Sequence, residues 1–325
     1  MTILVHLLLF MLSTAVIWFF AGLLIESVAR VAKRFHQNGF TVAFFVLGFL
    51  TSISEVSVMV NSTINKTPQV SAGNLAGASF VILLCIVPLV AILGKGIQLK
   101  NTLHSRNLAI ALAVVAMPTL FMLDGNVSRS EGALCFLIYG TLAYFIRKRD
   151  TVGVPKVIAE VEEELMDASK TTAGDVAKIL LGALFIFSAG HLLVEEAVYF
   201  SGILSIPASI VGLLVLSLGT NIPELVIAIR SILKKRKDVA FGDYLGSTVT
   251  NTLIFAFLPW LNGGFAVEPT EFIVTAALMT VGFIAFYVFA KSKNTITMYE
   301  GVALVSLYGV FLVIQVMNFI RFATD

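Results

Sequence analysis

Ten apolar runs, separated by charged residues, glycines or prolines, fill this chain from end to end. They lie near 3–25, 40–63, 71–94, 107–123, 131–146, 177–199, 206–231, 239–258, 271–290 and 300–320. Most are about 20 residues long, the length of a helix that crosses a hydrocarbon core of ~30 Å. Inside that core each segment must satisfy its own backbone N–H and C=O groups, which a helix does and irregular chain does not. A soluble domain is excluded. Of the 325 residues 58% are hydrophobic and 13% charged, with a mean hydropathy of +0.95, whereas ordinary globular chains are about 45–50% apolar. The expected fold class is an all-α polytopic membrane protein with ten transmembrane helices.

Basic residues set the orientation. Nineteen of the 22 lie in odd-numbered connections, among them Arg30, Lys100, Arg147, Arg230 and Lys291. Even-numbered connections and the tails hold only Lys66, Arg129 and Arg321. By the positive-inside rule the odd connections face the cytoplasm and both termini face out. The first run lacks a basic leader and a small-residue cleavage site, so it reads as a span rather than a signal peptide. A net charge of +2 is too balanced for a nucleic-acid binder. Cys85 and Cys135 lie inside apolar runs without ligand spacing and read as buried thiols.

Sliding the sequence against itself gives one dominant offset, 169 residues. At that offset Thr51 meets Thr220, Glu55 meets Glu224, Gly73 meets Gly242 and Gly77 meets Gly246. Glu26 meets Glu195, Glu131-Gly132 meets Glu300-Gly301, and Tyr139-Gly140 meets Tyr308-Gly309. Each copy holds five spans, an odd number, so the second must sit upside down in the membrane. The chain then divides into a first five-helix repeat over 1–146, a polar cytoplasmic linker over 147–176 and a second, inverted repeat over 177–325. Two inverted repeats with a site between them near the midplane are the architecture of secondary transporters.

Most acidic residues fall in loops or near span ends, but Glu55 and Glu224 lie near the middle of spans 2 and 7. A carboxylate there costs several kcal/mol unless it is paired, hydrated, protonated or bound to a cation. No Lys or Arg lies at comparable depth, so a cation or proton site on a pseudo-two-fold axis is expected. Around the second acid the chain reads Leu218-Gly219-Thr220-Asn221-Ile222-Pro223-Glu224, and the proline should free the carbonyl of Gly219 beside polar side chains. The first copy, Leu50-Thr51-Ser52-Ile53-Ser54-Glu55, keeps hydroxyls and acid without the proline. Spans 3 and 8 open with Gly73-Asn74-Leu75-Ala76-Gly77 and Gly242-Asp243-Tyr244-Leu245-Gly246, glycines spaced for close helix approach, with Ser247 and Asn251 as polar candidates beyond them. His191, Glu195 and Glu196 read as helix-end residues, and Asp243 suits the positive end of its helix.

At these residues the chain resembles the calcium/cation antiporter superfamily, the sodium/calcium and cation/proton exchangers, whose two copies carry G-T-S-x-P-E and G-N-x-x-G-S-N type motifs. The resemblance implies that the motif glutamates Glu55 and Glu224 hold the transported cation, with Thr51, Thr220, Ser52, Asn221, Ser247 and Asn251 completing the central and flanking metal sites. The first copy departs from the pattern at Leu50, Ser54, Ala78, Ser79 and Ile82, and Asn251 stands where many members have aspartate. Fewer oxygens on the first-repeat side imply a reduced sodium requirement or proton coupling.

The expected function is therefore secondary-active antiport of Ca2+, or another divalent cation, against Na+ or H+ by alternating access. No cofactor or obligatory protein partner is implied, and the setting is the bilayer of a bacterial or archaeal plasma membrane. A cation channel, or a degenerate family member with altered or no transport, is the alternative. No H-E-x-x-H or G-x-S-x-G pattern points to an enzyme.

Overall fold

The computed structural model describes residues 3–32, 48–98, 105–149, 173–222, 224–225, 228–229 and 237–324. Pro223, most of the 147–176 linker, the basic stretches around 33–47 and 230–236, and the side chain of Asp243 lie outside the described residues. Helix α1 is Ile3–Ala32, and α2 has two pieces, Gly48–Thr51 and Ile53–Ile64. Helix α3 runs as Pro68–Val81, passes through a π-helical turn, Ile82–Ile86, and ends as Val87–Leu93. Then come α4, Ser105–Phe121, α5, Arg129–Arg149, and α6, Ala173–Leu204. Helix α7 starts as Ala208–Val211, winds through a π-helical turn, Gly212–Leu216, and continues as Ser217–Thr220. Lys237–Asn262 is α8, Pro269–Lys293 α9 and Met298–Thr324 α10.

Among the described residues six helical segments, from α1, α3, α4, α6, α9 and α10, are each long and apolar enough to cross a bilayer. The chain is an integral membrane protein. Helices α1 and α6 are longer than their apolar runs, 30 and 32 residues. At 1.5 Å per residue they reach about 45 Å or more, so they tilt or extend beyond the hydrocarbon layer.

Helix α3 lies at the centre: 83% of Pro68–Leu93 is buried, against 22% of Ile3–Phe20 and 28% of Met298–Met317 on the periphery. Its glycines explain how it gets there. A Cβ on Gly73 would lie 1.9 Å from the Ser209 carbonyl oxygen, and one on Gly77 2.1 Å from that of Leu213. From the other side, a Cβ on Gly212 would lie 2.2 Å from Val70 O. Helices α3 and α7 thus meet backbone to backbone, which only glycine permits. Beyond this seam Phe80, Tyr308 and Phe311 pack α3 against α10.

Small features recur at the offset seen in the sequence. Ser128 and Glu131 form a reciprocal capping box at the start of α5: Glu131 Oε2 accepts from the Ser128 N–H at 2.7 Å, and Ser128 Oγ accepts from the Glu131 N–H at 3.4 Å. Thr297 and Glu300 repeat it at the start of α10, at 2.7 and 3.3 Å. The repeated acids Glu131 and Glu300 are therefore helix caps. Gly132, one residue on, seats α5 against Ala256 and Pro259 of α8, and Gly301 seats α10 against Pro88 and Ala91 of α3.

The structure adds four two-residue strands that the all-α reading did not contain. Strand β1 is Ile97–Gln98, β2 Asn126–Val127, β3 Phe265–Ala266 and β4 Thr295–Ile296. β1 pairs antiparallel with β4, Ile97 opposite Ile296, and β2 with β3, Asn126 opposite Ala266. Each ladder joins a loop of the first half to a loop of the second, and the 169-residue offset exchanges the ladders to within one residue. The loops leave a few exposed backbone groups between helix ends, and these pair across the molecule.

Candidate cation site

The eight residues expected at the site are all buried, none more than 1% exposed. They lie where α2 and α7 are both interrupted. Ser52 leaves the helix at φ −80°, ψ 14°, and Asn221, its partner at the 169 offset, at φ −92°, ψ 9°. Each then starts the next helical piece: Val56 N–H donates to Ser52 O at 3.0 Å and Leu225 N–H to Asn221 O at 3.1 Å. The proline is thus not required for the interruption, because the first copy breaks without one. Small polar side chains that compete for backbone groups suffice: Asn221 Nδ2 donates back to Ser217 O at 2.6 Å. In the first copy the break puts Glu55 in the opening turn of a new helical piece, where the helix dipole favours negative charge.

Four side-chain contacts close a ring of helices. Ser52 Oγ of α2 is 3.2 Å from Ser247 Oγ of α8. Asn251, one turn further along α8, donates through Nδ2 to Ser79 Oγ of α3 at 3.4 Å. Asn74, also on α3, accepts at Oδ1 from Thr220 Oγ1 of α7 at 3.3 Å. The Ser54 hydroxyl of α2 donates to its neighbour Glu55 Oε2 at 2.8 Å and lies 3.4 Å from Thr220 O, which returns the ring to α7. Glu224 is fully buried beyond the break, and its carbonyl accepts from Tyr244 OH of α8 at 3.4 Å. Thr51, on the last turn before the first break, is buried beside them.

Three acceptors in this neighbourhood have no hydrogen-bond donor: Glu55 Oε1, Asn221 Oδ1 and Asn251 Oδ1. A buried acceptor left so costs about 1–3 kcal/mol. Carboxylate, amide and hydroxyl oxygens grouped in this way suit hard cations, which take six to eight oxygens when Ca2+ is bound. Among the described residues no group of three or more His, Cys, Asp or Glu side chains comes together, so a soft-metal site is not indicated there.

The ring is lopsided. Ala78 and Ile82, the 169-offset partners of Ser247 and Asn251, are buried and bring no oxygen. Ser54, Asn74, Ser79 and Tyr244 belong to the ring or its edge although the sequence reading did not assign them. Their sequence signals were polarity inside an apolar run and, for Asn74 and Tyr244, a place between the motif glycines. Outside the ring, Glu196 is buried against His6 of α1 at 2.8 Å, with His6 stacked on Tyr199, so it ties α1 to α6. His191 Nε2 is 3.3 Å from Glu195 Oε1 on the half-exposed face of α6.

A family model described as sodium/calcium exchanger protein matches residues 5–148 and 175–317. Among relatives, the inner membrane protein YrbG of Escherichia coli is 24% identical over 255 residues, 78% of this chain and 78% of its own length. The sodium/calcium exchanger MaX1 of Methanosarcina acetivorans is 28% identical over 142 residues, 44% of this chain and 41% of its own. Among solved structures, the sodium-calcium exchanger NCX_Mj soaked with Na+ and Sr2+ is similar at a TM-score of 0.65 and 18% identity, covering 96% of this chain and 99% of that one. At that identity the likeness speaks for the fold alone. With the family model matched over most of its length, the chain belongs to the sodium/calcium exchanger protein family, and it is a transporter rather than an enzyme.

Proposed function

We propose that this protein is a secondary-active antiporter that exchanges Ca2+, or another divalent cation, for Na+ or H+ by alternating access. The reading rests above all on Glu55 and Glu224, two buried carboxylates at matching positions beside matching helix breaks, inside a ring of uncharged oxygen ligands. One divalent ion, two protons or sodium ions can neutralise that pair, and each occupant removes the cost of the buried charge. A carrier whose empty site bears two uncompensated negative charges resists the switch between its inward- and outward-open forms, so loading by one ion or the other couples the fluxes. Thr51, Thr220, Ser52, Asn221, Ser247 and Asn251 complete the shell.

In this reading the repeats are 1–146 and 177–325, inverted with respect to each other, with the 147–176 linker on the basic, cytoplasmic side. The exchange of the two strand ladders and of the capping boxes at the 169 offset supports it, as does the family match in two segments. Cysteines introduced singly at Lys66 and Lys235, in a background lacking Cys85 and Cys135, are then expected to label from opposite faces, residue 66 from outside and 235 from inside. Labelling of both from one face would overturn the inverted arrangement.

The absence of oxygens at Ala78 and Ile82 bears on the counter-ion. Na+ with an incomplete shell stays in water, so one flanking monovalent site is weak and the parent protein runs on few sodium ions or on protons. The test is Ca2+ flux in proteoliposomes with imposed Na+ and H+ gradients compared side by side. Ala78→Ser with Ile82→Asn is expected to steepen the dependence on Na+ at fixed pH. A steep, multi-sodium dependence already present in the parent would show that those oxygens are dispensable, and flux indifferent to both gradients would overturn the antiport reading itself.

A further inference from the structure

Asparagine is an ambiguous ligand, since one end of its amide binds cations and the other repels them. Asn251 is 1% exposed, and the polarity of its surroundings resolves which end goes where. Ser79 Oγ donates its single proton to Leu75 O at 3.1 Å, one turn back on α3. With that proton committed, the hydroxyl oxygen can only accept, and the group that reaches it, at 3.4 Å, is the Asn251 N–H. Oδ1 is thereby turned to the opposite side, buried and without a donor. Asn221 shows the same outcome by another route, its Nδ2 held by the carbonyl of Ser217, which can only accept, and its Oδ1 left without a donor.

We propose that Ser79 is a positioning residue that locks the Asn251 amide with its oxygen presented to the transported cation. The inference rests on the cation-site reading above. It also accounts for a polar side chain on α3 one residue from Ala78, where a direct ligand is missing. A carboxylate at position 251 would need no such lock, because either of its oxygens can face the ion. An amide does, since its flipped form would point N–H donors at a positive charge.

The test is a double-mutant cycle on the full chain purified in detergent, with Ca2+ binding read by calorimetry in sodium-free buffer and ion-free melting temperature read alongside. Ser79→Ala is expected to weaken Ca2+ binding about tenfold, the scale of one misdirected ligand. In an Asn251→Asp background the same substitution should change binding less than about twofold, since orientation no longer matters. Ser79→Thr keeps the acceptor and should bind within about threefold of the parent, whereas Ser79→Cys, a weak acceptor of similar size, should resemble the alanine variant. If Ser79→Ala lowers the melting temperature so far that binding cannot be read, the threonine and cysteine variants carry the comparison. Equal losses from Ser79→Ala in both backgrounds would show a packing role and overturn the proposal. Unchanged binding in the Asn251 background, or threonine and cysteine variants that bind alike, would do the same. A parent protein that binds no Ca2+ would instead overturn the cation-site reading, a result distinct from failure of the lock.

Discussion

Glu55→Gln and Glu224→Gln are each expected to abolish exchange, lowering Ca2+ flux in proteoliposomes by about 100-fold or more, since a buried divalent charge would lose half of its compensation. Glutamine keeps the volume of the side chain and can still accept from Ser54, which donates to Glu55 Oε2 at 2.8 Å. What it removes is the charge alone. The neighbours cannot replace it: the other proposed ligands are hydroxyls and amides, Asn251 among them. Stability should move the other way. Removing an ionisable group from a fully buried position removes a desolvation cost, so in ion-free buffer the variants should melt at or above the parent's temperature. Flux near that of the parent in either well-folded variant would sink the central role of these acids.

Gly73→Ala and Gly77→Ala are expected to destabilise the fold itself, each by about 2 kcal/mol or more. The added Cβ would stand 1.9 Å from Ser209 O and 2.1 Å from Leu213 O, and those atoms are backbone, so no side chain can swing aside. Relief requires α7 to shift away from α3. The Thr220–Asn74 contact spans the same two helices, so the shift would open the ring as well. Gly140→Ala and Gly309→Ala are the controls: both glycines match at the repeat offset, yet a Cβ there meets nothing within 4 Å. These variants should melt close to the parent. Melting temperature and the yield of monodisperse protein measure both pairs, and a Gly73→Ala protein as stable as the parent would contradict the backbone contact.

The apolar helices, the 169-residue offset and the two acids inside apolar runs were legible in the residues alone. Each depends on quantities local to the chain: the summed hydropathy of a run, a charge within it, a match at a fixed offset. The repeat match of Glu131 and Glu300 was seen in the sequence but not its cause, the capping boxes Ser128-x-x-Glu131 and Thr297-x-x-Glu300, although a cap is settled within one helical turn. The repeat match at those glutamates therefore reflects helix ends rather than ion chemistry.

Other features were decided only by the tertiary structure. That α2 breaks at Ser52 without a proline, that Gly73 rests on Ser209, and that Asn251 shows its oxygen rather than its nitrogen all follow from neighbours brought to one place by folding. The four contacts of the ring join residues 146 to 195 positions apart. Hydropathy and spacing carry no information about such pairs, because each hydroxyl or amide could pair with many others. The sequence by itself determined which runs of residues had to leave water. The packing of α3 against α7, and of α8 beside both α2 and α3, decided which of their polar atoms found partners and which did not.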